Sequence, residues 1–344
     1  MVTLEQKMQF LEMLFLNSRA HINELAQKLG LSRQTISKFL KQLWQTGIIH
    51  SPTILLDPHV LNLQYSFMEI KTNPSEQNLL DNISQFKEIV NLDGILGDYS
   101  LILKIEVQTK RQFAELLNQI DQKIAQTFSS SYRIIECIDI YKIGGFILNK
   151  KYPTKTLEEN DSKWRLLQLL KKNFNIYRWP EREDQPLLKP EEIEFISHIN
   201  LSREFSNFTA EHIISRFTLT YNPRKMIYFL RKTDQSLFEH DFATKFYLQI
   251  KPQRIADYST LAENLVHHPN IIDLYRTGNE AGLMAVVRTR NLTEYNNFIK
   301  ELYHKYPIRD THTTVVVDEL LPSVFPPTKR VAQKIANGDY TYNW

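Results

Sequence analysis

Apolar residues early in the chain follow the period of a helix with one buried stripe. Leu4, Met8, Leu11, Met13, Leu14 and Phe15 recur largely at three- and four-residue spacings, which predicts a first helix over 4–17. His21 to Gly30 reads as a short second helix that buries Ile22, Leu25, Ala26 and Leu29 and stops at the glycine. Ser32 can cap a third helix over 33–46, closed by Gly47. Its inward stripe is Ile36, Phe39, Leu40 and Leu43, while Gln34, Ser37, Lys38 and Lys41 fall on the opposite side. Ile48 to Leu56 is rich in β-branched residues and ends at Asp57-Pro58, which predicts a short wing strand carrying His50.

From Gln64 the period changes to two. Tyr65–Lys71 alternates as a strand, Ser75–Phe86 reads as a helix, Ile89–Leu92 as a strand, Gly97–Val107 as a strand, Lys110–Phe128 as a helix and Tyr132–Ile143 as a strand. The order βαββαβ puts two helices on one face of a four-stranded antiparallel sheet, so the fold class is α+β.

The same order returns later. Strands are predicted over 245–251, 271–275, 282–288 and 311–320, with helices over 258–266 and 292–303. Gly278-Asn279 forms the turn before the third strand, as Gly97 does in the first run, and this points to internal duplication. Upstream, 190–199, 209–217 and 222–232 read as three short helices, a degenerate copy of the opening module. Asn222-Pro223 is a strong helix start, and Arg224, Lys225, Tyr228 and Arg231 follow with no acid before Asp234. Between the copies, 149–156 is a basic connector, 161–174 a helix around Trp164, and 177–188 a charged loop.

Charge sharpens the picture at one place. Lysines and arginines total 42 and acidic residues 39, so the net charge of +3 is uninformative by itself. Yet Ser32 to His50 holds Arg33, Lys38 and Lys41 and no carboxylate. A helix of this size fits the major groove, where Arg33 and Gln34 can meet base edges and Ser32, Thr35, Ser37, Lys38 and Lys41 can meet phosphates. A three-helix interaction module with a solvated charged side is the competing reading. The lone cysteine, Cys137, excludes an intrachain disulfide and a cysteine zinc site. No apolar run is long enough to cross a bilayer and no signal-peptide pattern opens the chain, so a cytoplasmic protein with no membrane contact is expected. Phosphate-loop, zinc-protease and nucleophile-elbow motifs are absent, so no catalytic residue, metal or cofactor is expected.

A helix-turn-helix, then Leu56-Asp57-Pro58, then a βαββαβ unit with Gly97-Asp98-Tyr99 resembles the Lrp/AsnC family over about residues 4–145. The resemblance implies a sequence-specific, DNA-binding transcriptional regulator. It also implies a sensor domain that pairs through its sheet into oligomers, with an amino acid or other small metabolite at the pairing interface. By position, Ser32 to Lys41 match the DNA-reading helix, and Gly97, Asp98 and Tyr99 match the effector-side loop, with Gly278 and Asn279 as the second copy's counterpart.

The organisation expected is a winged helix-turn-helix over 1–60, a ferredoxin-like sensor over 61–148 and a helix-bearing linker over 149–188. A degenerate helix-turn-helix-like domain over 189–243, a second ferredoxin-like sensor over 244–322 and a tail over 323–344 complete it. Joining two sensors in one chain favours their pairing within the chain, and further self-association would bring reading heads to repeated DNA half-sites. The second functional reading is that tandem domains of this kind also resemble the siroheme decarboxylases, for which His267, His268, Arg276, Arg288, His304 and His312 are the available tetrapyrrole-facing groups. A third is an oligomeric metabolite sensor that leaves DNA alone.

Overall fold

The computed structural model of the chain describes residues 2–16, 20–45, 49–56, 58, 63–72, 77–86, 88–125, 131–148, 213–221, 244–254, 257–278, 282–321 and 323–324. Three helices open it: α1 (Leu4–Leu16), α2 (Ile22–Leu29) and α3 (Arg33–Gln45). Gly30 ends α2 in the left-handed region at φ 63°, and its N–H together with that of Leu31 closes the last turn on Ala26 and Gln27. Phe10, Leu11, Leu14, Leu25, Leu29, Ile36, Phe39 and Leu43 are buried between the three helices. Each large aliphatic group so buried contributes roughly 1.5–3 kcal/mol.

The chain continues through β1 (Ile49–Leu56) into a βαββαβ run: β2 (Gln64–Lys71), α4 (Gln77–Ser84), β3 (Ile89–Leu96), β4 (Leu101–Val107), α5 (Lys110–Ile124) and β5 (Ser131–Ile143). A two-residue hairpin strand, β6 (Phe146–Ile147), follows. Thr109 and Gln112 form a reciprocal capping box at the start of α5, which fixes where that helix begins. After β7 (Ile213–Tyr221) the order repeats: β8 (Thr244–Pro252), α6 (Tyr258–Leu265), β9 (Ile271–Thr277), β10 (Leu283–Thr289), α7 (Leu292–Lys305) and β11 (Ile308–Glu319), then the short β12 (Ser323–Val324). The Asn291 side chain caps α7 by accepting from the Glu294 N–H.

The two runs close on each other. Strands follow one another in the order β2-β4-β3-β11-β8-β10-β9-β5, and β5 pairs back onto β2, so eight antiparallel strands make a ring. The seams between the runs are β3 with β11, where Asp93 lies opposite Glu319, and β5 with β9, where Ile140 lies opposite Tyr275. Each run keeps its own helix-side core. Met68, Ile70, Leu103 and Ile105 pack with Leu79, Ile83, Leu116 and Ile120 in the first. Phe246, Leu248, Leu274 and Val287 pack with Leu261, Leu265, Phe298 and Leu302 in the second. The opposite sheet faces, carrying Tyr65, Phe67, Ile102, Ile135, Tyr247, Tyr275, Met284 and Val286, turn inward to fill the ring.

One element corrects the reading of the sequence. Of the helix predicted over 209–217, the described residues 213–217 belong to the strand β7, which pairs antiparallel with β1 over nearly the whole of both. Ile213-Ile-Ser-Arg-Phe-Thr-Leu-Thr-Tyr221 alternates and is rich in β-branched and aromatic residues, so a partner strand beats a weak helical pattern. Residues 97–100, predicted as the start of a strand, are instead the loop before β4. The helices predicted over 161–174, 190–199 and 222–232 lie outside the described residues, as do Arg224, Lys225, Tyr228 and Arg231.

Candidate nucleic-acid interface

α3 is held from behind. Ile36 and Leu43 are wholly buried, and the Phe39 ring tilts against Phe10 at 5.0 Å between centroids. Its opposite side presents Arg33, Gln34, Lys38 and Lys41, all exposed, with Thr35 and Ser37 half-buried beside them. The first turn carries no acidic residue. Ser32 caps the helix: its hydroxyl accepts from the Thr35 N–H at 3.1 Å and lies 2.8 Å from the Thr35 hydroxyl. These two hydroxyls therefore serve the helix start first. α3 also packs on β1, which carries His50, and α1 packs on β7.

The loop matched to an effector site has its own anchoring. Gly97 sits at φ 150°, Asp98 is exposed, and the Tyr99 ring lies 5.1 Å from the Arg133 guanidinium. Arg133 in turn donates to the buried Glu69 carboxylate. The corresponding loop of the second run differs. Gly278 donates its N–H across the seam to the Glu136 carbonyl at 2.9 Å, while Asn279 lies outside the described residues. Arg276 stacks 3.7 Å from the Tyr258 ring and donates to the Gly282 carbonyl, so a guanidinium and a phenol of the chain itself fill that corner.

The ring interior holds charge that periodicity did not announce. Lys245 donates to Asp93 at 2.6 Å, Tyr247 donates to the same carboxylate at 2.5 Å, and Arg288 grips Glu319 through two nitrogens at 2.9 and 2.6 Å. Burial pushes the Asp93 carboxyl up, and Lys245 pulls it back down. At the other seam Lys104 reaches the Tyr275 hydroxyl at 2.5 Å, and that hydroxyl donates to Asp273 at 3.0 Å. Lys104 also lies over the Tyr65 ring at 4.5 Å. Burial lowers the Lys104 ammonium and raises the Tyr247 and Tyr275 phenols well above their usual range. Lys142 is sealed off and donates to the Val266 and His268 carbonyls at 2.7 and 3.1 Å, with its pKa lowered by burial to about 7.

The groups available to a tetrapyrrole are engaged separately. Arg288 is inside the ring, Arg276 is on Tyr258, and His268 lies edge-on to Phe298 with its pKa lowered by burial to about 4. His267, His304 and His312 are exposed. Among the described residues no cluster of three or more His, Cys, Asp or Glu side chains is placed to hold a metal ion, and no helix is long and apolar enough to cross a membrane.

Comparison with known proteins agrees with the two ends of this architecture. A family model described as winged helix-turn-helix DNA-binding matches residues 11–50, and one described as the Lrp/AsnC ligand binding domain matches residues 245–324. The chain is 30% identical over 120 residues to the HTH-type transcriptional regulator PH0061 of Pyrococcus horikoshii, covering 34% of this chain and 81% of that one. It is 29% identical over 138 residues to the HTH-type transcriptional regulator PYRAB00690 of Pyrococcus abyssi, covering 39% of this chain and 93% of that one. Among solved structures, the siroheme decarboxylase NirDL superposes with a TM-score of 0.49 at 11% identity over 97% of this chain and 98% of that one. With family-model matches at both ends and a 30% identical relative covered over four-fifths of its length, the chain belongs to the Lrp/AsnC family of helix-turn-helix transcriptional regulators.

Proposed function

We propose that the chain regulates transcription by laying α3 in the major groove of duplex DNA. Arg33 and Gln34 face base edges, Ser37, Lys38 and Lys41 with Ser32 and Thr35 face phosphates, and His50 approaches from the wing strand. The observation that carries this reading is the exposed, acid-free row on a helix whose other face is buried. A solvated charge row on a protein-binding module would need no such one-signed patch, since acidic residues nearly equal basic ones over the chain.

The rest of the molecule is read as the reader's frame. Residues 1–60 form the reading head, 61–148 and 244–322 are two ferredoxin-like sensor domains derived by duplication, 149–188 is the linker, 189–243 a degenerate helix-turn-helix-like domain, and the tail runs from 323. Strand order supports that division, because each sensor supplies one half of the ring. One described reading head per chain favours association of two or more chains on repeated half-sites. A small metabolite, an amino acid in the first instance, is read at the loop Gly97–Tyr99, with Gly278 and Asn279 as the second candidate. Such a regulator works in the cytoplasm, and no step of this reading requires catalysis.

The experiment is a salt titration of binding to duplex DNA. The logarithm of affinity should fall steeply with the logarithm of salt concentration. The double variant Lys38→Gln, Lys41→Gln should flatten that slope by about 0.9 for each phosphate no longer neutralised. A slope unchanged by the double variant removes both lysines from the interface, and absence of any duplex binding overturns the reading.

A further inference from the structure

The last sensor strand does not end in its own half of the molecule. Beyond Glu319 the chain crosses to the first run, where the N–H groups of Leu320 and Leu321 both donate to the Leu92 carbonyl of β3, at 2.9 and 3.3 Å. Leu321 is buried in the helix-side core of that run with Met68, Leu92 and Ile120. Two residues after Leu321 the chain has reached the reading head's sheet: Ser323 pairs with Tyr221 and Val324 with Thr220, both on β7. β7 is the middle strand of a sheet whose other edge is β1, the strand that leaves α3.

Both ends of this short stretch are informative. At its start, Glu319 is held by Arg288 through two hydrogen bonds and lies 3.8 Å from Lys245, which itself donates to Asp93 on β3. The strap therefore leaves the ring at the point where buried charges from both sensors are tied together. At its far end the pairing is two residues long among the described residues, so it can detach without unfolding either the ring or the three helices. A rigid origin and a weak, specific landing are the two requirements of a coupling element with two states.

We propose that Leu320 and Leu321 with β12 form a strap through which the state of the sensor ring sets the posture of the reading head. When the β3–β11 seam is in its closed arrangement, β12 docks on β7 and holds β1 and α3 in one orientation. When the seam loosens, β12 leaves β7 and the head is freed. Ligand or partner binding that shifts the seam changes DNA affinity through this route in proportion to its preference between the two arrangements. The proposal rests on the DNA-reading role of α3, and its structural half can be measured without DNA.

The test compares four forms of the full chain: unaltered, Glu319→Gln, a Gly-Ser-Gly insertion after Leu321, and the two changes combined. Amide hydrogen exchange is followed in β1 and β7, and affinity is measured for a mixed-sequence duplex. In the chain without the insertion, Glu319→Gln should speed exchange at both strands and shift affinity roughly fivefold or more, the low end of ordinary coupling between sites. The insertion should abolish both responses to Glu319→Gln. Equal responses with and without the insertion would overturn the strap, because they mark a general loosening that needs no connection. Leu321→Ala, which removes the anchor without disturbing a buried charge, should reproduce the exchange change if Glu319→Gln fails to fold, and normal exchange in β7 for this variant also overturns the proposal. Loss of all duplex binding with the exchange pattern intact would sink the DNA reading and leave the strap standing.

Discussion

Lys245 and Asp93 stand 152 positions apart in the chain and meet at 2.6 Å inside the strand ring, their side chains 6% and 0% exposed. A lysine and an aspartate so enclosed stabilise the fold only while both are present, since each alone is an ion without water. Lys245→Met should destabilise the chain by about 3–5 kcal/mol. Adding Asp93→Leu should recover a large part of that loss, because two apolar groups then meet across the seam. Urea unfolding of the two variants decides it, and a double variant no more stable than Lys245→Met would show that the seam needs the charges for its shape.

Gly282 allows no side chain. It sits at φ 72°, and a Cβ built there would lie 1.9 Å from the Tyr258 ring that carries Arg276. Gly282→Ala should cost on the order of 1–3 kcal/mol from backbone strain and crowding together. Tyr258→Ser in the same chain should relieve the crowding and leave the strain. The check is a double-mutant cycle by thermal unfolding, with a non-zero coupling as the expected result.

The ammonium of Lys142 gives a pH dependence of definite sign. Burial lowers its pKa from 10.5 to about 7, so above pH 7 the folded chain has released a proton that the unfolded chain keeps. Stability therefore rises with pH from 7 upward, by at most about 1.4 kcal/mol per unit. Cys137, whose thiol burial pushes from 9 up to about 12, opposes this above pH 9, because there the folded chain holds the proton and the unfolded chain loses it. The window of gain is pH 7–9. Lys142→Met should remove it, as read by denaturant midpoints at the two ends of the window.

At the DNA face, Gln34 and Lys41 should separate by kind. Gln34→Ala should narrow the difference in affinity between preferred and scrambled duplexes, by about 1–3 kcal/mol at one base position, with the salt slope kept. Lys41→Gln should weaken both duplexes alike and lower the slope. Selection of bound sequences from a random pool, done for each variant, distinguishes them.

Much of this was legible in the sequence, and the exceptions have a common cause. Apolar period located α1, α2 and α3 and both βαββαβ runs, because each of those elements buries one stripe against a neighbour close in the chain. In β4 the sequence marked a strand, with Leu101, Leu103, Ile105 and Val107 alternating with Ile102, Lys104 and Glu106, and said nothing of which face is wet. All seven are buried, since the second run closes over the face of Ile102, Lys104 and Glu106. Alternation tells which residues share a side, and only the pairing of distant strands tells whether that side is wet. β7 failed for the same reason: its partner, β1, lies more than 150 positions away. The exposed row on α3 was legible because nothing distant was needed to define it.

A ring of eight strands drawn from one polypeptide leaves no open strand edge between its two runs. Were the two runs on separate chains, either half could meet a foreign half of the same shape. Here both seams are already taken by the chain's own strands, so strand exchange with another protein would require a seam to open first.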